Sequence, residues 1–138
     1  MTTFTGWAHV TLSVRDHDRS VRWYREVLGF QPTATETARQ WTRTLCLHPG
    51  SGMILVLQQH NSGDGAEFDE QRAGLDHLAL GVSSPDALAS WQERLTALGM
   101  AHSPITATGR GGLAISFRDP DNIALELFYR AQDPRDTP

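Results

Sequence analysis

The 138-residue chain, 39% hydrophobic, suits one domain with a workable core or two small half-domains that share one. Twelve basic residues against 16 acidic ones leave a net charge of -4, the wrong sign for gripping a phosphate backbone, so nucleic acid is not an expected partner. All 12 basic residues are arginine, which excludes lysine Schiff-base chemistry and any lysine-based phosphate grip.

The N-terminus, MTTFTGWAH, lacks the basic and apolar regions of a signal peptide, and no apolar run approaches the roughly 18 residues that span a bilayer. A cytoplasmic protein without a membrane partner is expected. Trp7 to Val14 alternates, with Val10, Leu12 and Val14 on one side and His9, Thr11 and Ser13 on the other, as in a strand with one apolar face. Asp16 or Asp18 can cap a helix running to about Leu28, with Val21, Tyr24 and Leu28 at helical spacing and Gly29 as the stop. Strand-like segments follow at 30–36, 39–47 and 53–60, the last two separated by PGSG at 49–52. Cys46, the lone cysteine, reads as a small strand residue in a reducing compartment.

Residues 61–73, NSGDGAEFDEQRA, are polar and acidic and read as a linker. The pattern then restarts. Leu75 to Val82 alternates, Pro85 opens a helix with apolar Leu88, Trp91, Leu95 and Leu98, and Gly99 ends it. Strands are expected at 100–106, 112–118 and 122–129, the last pair joined by the DPDN turn at 119–122, and the tail after 130 is expected to fray.

GWAHVTLSV at 6–14 and GLDHLALGV at 74–82 are two versions of one segment. Gly6 and Gly74, His9 and His77, Leu12 and Leu80, Val14 and Val82, and Trp23 and Trp91 are all 68 positions apart (77 − 9), while Gly29 and Gly99 are 70 apart (99 − 29). One βαβββ unit has been written twice, which is too few copies for a solenoid. The expected class is α+β: two βαβββ modules, at 6–60 and 74–129, with mixed sheets curved around a cavity.

On each strand that carries a metal-binding residue type, the faces divide alike. His9 shares a face with Thr11 and Ser13, His77 with Ala79 and Gly81, and Glu126 with Ala124 and Phe128, opposite aliphatic faces. Glu126 between Leu125 and Leu127 is costly to bury without compensation, which a divalent cation would provide. Two imidazoles and a carboxylate form a recognised set for Fe, Mn, Zn, Ni or Co. Taken singly, each histidine reads more readily as a hydrogen-bonded strand residue, and the duplication is what tips the balance towards metal.

AHVTLSVRD with RSVRWYREVLGF, LDHLALGV, and FRDPDNIALELF resemble the vicinal oxygen chelate superfamily, which includes glyoxalase I, extradiol dioxygenases, fosfomycin resistance thiol transferases and bleomycin resistance proteins. The resemblance spans about residues 6–129. It implies metal ligands on the first and last strands of each half, which here are His9, a position on the 53–60 strand, His77 and Glu126. The position matching Glu126 is Val56 (126 − 70), which cannot bind metal; Gln58 would replace it only if a bulge shifted the register. The missing donor argues against ordinary glutathione-dependent glyoxalase activity and leaves the three-ligand set of the dioxygenase and fosfomycin branches.

His60 and His102 are candidate acid–base residues beside Glu126. Trp7, Trp41 and Phe128 are candidate pocket walls, with Thr11, Val56 and Gln58 on the ligand face and Arg110 in the TGRGG loop as a candidate anchor for an anionic substrate. The resemblance thus implies a homodimeric enzyme holding one divalent metal per site and acting on a small molecule that chelates it through neighbouring oxygens. The alternative is a metal-free protein that sequesters a drug or metabolite, for which Val56, the tryptophans and the anionic balance speak.

Overall fold

A computed structural model describes residues 2–131 of the chain; the expected fraying at 132–138 lies outside them. The chain divides into two compact units, Met1–Glu67 and Phe68–Pro138.

In the first unit, β1 (Val10–Ser13) leads into α1 (His17–Leu28), followed by β2 (Gln31–Thr37), β3 (Trp41–Leu47) and β4 (Ile54–His60). The sheet order is β1-β4-β3-β2. β1 lies parallel to β4, and the other neighbours are antiparallel. The Asp16 side chain accepts a hydrogen bond from the Arg19 N–H and caps α1, leaving Asp18 in the first turn beside the His17 ring. Gly29 closes the helix at φ 81°, a left-handed conformation that suits a residue without Cβ.

The buried face of this sheet is the one the alternation marks: Leu12, Leu55, Leu57 and Cys46 are buried, as are Tyr24, Val27 and Leu28 of α1. Polar groups on this side are paired. The His17 ring meets the Thr44 hydroxyl at 2.7 Å, Thr44 meets Thr35 at 2.7 Å, and the His17 N–H donates to the Gln59 side chain at 2.8 Å. Burying such groups is tolerable because each finds a partner.

The second unit repeats the plan with β5 (Leu78–Val82), α2 (Pro85–Ala97), β6 (Thr106–Ala107), β7 (Leu113–Arg118) and β8 (Ala124–Tyr129), in sheet order β5-β8-β7-β6. Ser84 caps α2 by accepting from the Ala87 N–H, and Pro85 occupies the first helical position, where its missing N–H costs nothing. Leu88 and Leu95 are fully buried, together with Ile115, Leu125 and Leu127, whereas Leu98 is 47% exposed and lies outside the core.

The α+β class of two mixed four-stranded sheets with two helices is thus borne out. The strand expected at 100–106 shrinks to a single bridge, His102 to Phe117, and the two-residue β6. Pro104, which has no N–H to donate, interrupts the ladder. Part of the acidic segment after residue 60 is anchored. The Phe68 N–H donates to the Asp121 carbonyl, Asn122 donates to the Phe68 carbonyl, and Glu70 pairs with Arg118 at 2.6 Å. The DPDN turn is fixed from inside by Asp119, whose carboxylate accepts from the N–H groups of Asp121 and Ile123, both at 2.8 Å. Asn122 takes φ 65°, a region asparagine tolerates.

Candidate functional site

Parallel pairing of β5 with β8 sets Ala79 against Glu126, and antiparallel pairing on the other side sets Ser116 against Glu126. The carboxylate therefore stands between two small side chains on the face away from α2. A hollow of about 830 Å³ opens over this face, lined by His77, Ala79, Gly81, Glu126, Phe128 and Arg130 among others. A smaller hollow of about 180 Å³, with Glu70, Asp76, Ser116 and Arg118 in its wall, also reaches His77 and Glu126. These two residues thus belong to both spaces.

The His77 ring is tethered, since its Nδ1 lies 2.6 Å from the Asp76 carboxylate. A carboxylate accepts and cannot donate, so in the neutral ring Nδ1 carries the proton and Nε2 keeps its lone pair. This is the usual arrangement of a histidine prepared to bind metal. Beside it, Arg118 grips Glu70 through two contacts of 2.6 and 3.0 Å and holds the Glu70 carboxyl down at about 2, against an ordinary 4.5.

In the first unit, the matching face carries a hollow of about 210 Å³ lined by His9, Thr11, Ala34, Glu36, Arg43, Leu45 and Val56. His9 sits just before β1 and is exposed. Val56 is 8% exposed and pairs with Thr11 on one side and Leu45 on the other. The β1–β4 and β3–β4 ladders run without a register shift, so no bulge carries Gln58 into the Val56 position; Gln58 instead contacts the His60 ring at 3.3 Å. Arg43 crosses the face to Glu36 at 2.7 Å and covers the Trp41 ring at 4.4 Å from its centroid. Among the described residues no group of three or more His, Cys, Asp or Glu side chains is placed to hold a metal ion.

Residues 6–127 match the family model described as the Glyoxalase/Bleomycin resistance protein/Dioxygenase superfamily. The chain belongs to this superfamily. Among the structural neighbours of this superfamily member is a glyoxylase/bleomycin resistance protein/dioxygenase domain from Frankia sp. EAN1pec, with TM-score 0.85 and 38% identity, covering 93% of this chain and 99% of that one. A probable lactoylglutathione lyase of Vibrio parahaemolyticus is 29% identical over 130 residues, 90% of each chain. The fosfomycin resistance protein FosX from Listeria monocytogenes, solved with Mn(II) and sulfate ion, shares the fold at TM-score 0.71 and 20% identity, covering 98% of this chain and all (100%) of that one.

Several sequence candidates lie elsewhere. His102 pairs with Phe117 on the helix side of the second sheet, where its Nε2 meets Thr96 at 2.8 Å and its Nδ1 meets the Ser103 carbonyl at 2.7 Å, so it faces away from Glu126. His60, at the end of β4, lines a hollow with Ser13, Arg15 and Asn61 that His9 does not share. Trp7 is 95% exposed ahead of β1 and is absent from the lining of the hollow around His9. Arg110 sits exposed in a short turn at φ 64° and is absent from the lining of the large hollow. Arg130 occupies that hollow instead. Asp76, Ser116 and Arg130 are the site residues that sequence reasoning passes over. Continuing the alternation 126, 128, 130 would have found the last.

One glycine fixes the wall. A Cβ at Gly112 would fall 3.0 Å from Phe128 Cζ and 3.1 Å from the Tyr129 carbonyl, and closer still to the Thr108 hydroxyl.

Proposed function

We propose that the protein is a divalent-metal-dependent enzyme of the glyoxalase/dioxygenase type, acting on a small molecule that presents two neighbouring oxygens. The observation that carries this reading is the pairing of His77 and Glu126 on one hollow, with the His77 Nδ1 committed to Asp76. The donor types fit Fe, Mn, Zn, Ni or Co. His9 supplies the third donor in this reading, from its own chain or from a second copy in a homodimer. When bound, the cation supplies Lewis-acid polarisation of the substrate oxygens.

The chain's own residues do the rest. Asp76 keeps the Nε2 lone pair of His77 available, and Glu126 is the carboxylate positioned to bind or to carry a proton. Ala79 and Gly81 leave room for the substrate, while Phe128 gives it an apolar surface. Val56 leaves the fourth slot without a donor, which sets the proposal apart from the lactoylglutathione lyase activity ascribed to the Vibrio relative.

Elemental analysis of protein purified without added metal, alongside His77→Ala, tests the proposal. About one transition ion per site, lost in the variant, is expected. A folded wild type that takes up neither Mn(II) nor Zn(II) on dialysis would reject the enzyme in favour of a metal-free sequestering protein.

A further inference from the structure

Three side chains follow one another along the wall of the large hollow: Glu126, Phe128 and Arg130, at alternate positions of one extended segment. The Arg130 guanidinium lies over the Phe128 ring, 5.6 Å from its centroid. Stacking of this kind holds a planar cation against an aromatic face and leaves its N–H edge free to donate. Arg15, Arg25, Arg43, Arg72 and Arg118 each have an acidic partner within 4 Å, and among the described residues Arg130 has no such ion pair. Among the described residues, Glu126 is the sole acidic residue lining the hollow. The two stand four positions apart along the extended chain, about 13 Å at strand rise, and no ion pair joins them among the described residues.

The hollow therefore has a carboxylate and an imidazole at one end and, further along the same wall, an aromatic ring with a guanidinium stacked on it. A ligand lying along it meets a donor fork suited to two oxygens of an anion. We propose that Arg130 is a specificity-determining residue that selects a ligand carrying a carboxylate or phosphoryl group on an apolar body. This names the substrate class for the proposed enzyme and rests on its hollow, while the anion selection needs no bound metal. It also disfavours a cationic drug as the natural ligand.

The test uses the full chain, 15N-labelled and stripped of metal with EDTA, titrated with phenylacetate, phenyl phosphate and benzylammonium while the Arg130 side-chain N–H and the amides of 128–130 are followed. At least one of the two anions is expected to bind about tenfold or more tighter than benzylammonium, and the tighter anion identifies the class. Arg130→Gln removes the difference and Arg130→Lys keeps part of it. Arg130 is exposed, so both variants are expected to retain the wild-type circular dichroism spectrum. Benzylammonium binding as tightly as the anions, no detectable anion binding, or an anion affinity unchanged in Arg130→Gln would each overturn the assignment. Mn(II) uptake measured separately tells the two proposals apart: anion selection without uptake retains Arg130 and rejects the metal enzyme, and uptake without anion selection does the reverse.

Discussion

Asp76→Asn removes the acceptor that fixes the His77 ring and changes almost nothing else. The amide has nearly the same volume, and the Asp76 side chain is 75% exposed, so the fold is expected to survive. At 2.6 Å from Nδ1 the carboxylate accepts a charge-assisted hydrogen bond; an amide can accept a weaker one or turn its NH2 towards the ring, which favours the opposite tautomer. Replacing the outer partner of a metal-binding histidine lowers metal affinity by about 10- to 100-fold. Because His77 is itself 45% exposed and its contacts are screened by water, the lower end applies. A loss of about tenfold in Mn(II) affinity, about 1.4 kcal/mol, is expected by equilibrium dialysis. A second reading needs no metal: ring 15N shifts should show the Nδ1–H form dominant in the wild type and mixed tautomers in the variant. Equal Mn(II) affinity together with an unchanged tautomer ratio would refute the claim that Asp76 positions His77.

Other outcomes follow from the same structure. The Glu70 carboxyl should titrate near 2, and Arg118→Ala should return its NMR midpoint towards 4.5. The folded value is the lower one, so the ion pair's contribution is complete above about pH 4.5 and disappears as pH falls through about 2; with both side chains at least one-third exposed, titration reads it more clearly than stability does. Leu57→Ala empties a fully buried site in the first unit and should cost about 3 kcal/mol in urea unfolding, against under about 1 kcal/mol for exposed Leu98→Ala. Co-expressed His9→Ala and His77→Ala chains should recover about one metal site per four chains if ligands are shared between two copies, and none if each site belongs to one chain.

The features carried by a period of two were legible in the sequence. Leu125 and Leu127 are buried while Glu126 and Phe128 face a hollow, because alternate side chains leave opposite faces of a strand. Tyr24, at helical spacing with Val21 and Leu28, and the small strand residue Cys46 lie in the core. What depends on cross-strand neighbours was not legible. The Arg43–Glu36 pair requires the register of β2 on β3, which shifts between Pro32 and Ala34. His102 has the chemistry of a proton carrier, yet its direction is decided by a bridge to Phe117 and a bond to Thr96 on α2. Trp7 has the composition of a pocket wall, but it precedes β1, where no ladder fixes its direction. Asp76 carries no signal in the sequence, because a carboxylate one residue before a histidine is commonplace, and only the 2.6 Å contact gives it a role.

Gly112 shows how far such a site depends on something as small as a missing methyl group. The tip of the Phe128 ring lies 3.0 Å from where a Cβ at 112 would stand, just ahead of β7, so the aromatic shelf rests against this bare stretch of chain. Alanine there would press first on the Thr108 hydroxyl and then on the Phe128 ring and the Tyr129 carbonyl, so the turn before β7 and the end of β8 would have to give together. Anyone wishing to redesign the pocket for longer or bulkier molecules should therefore leave this position alone and trim the opposite side.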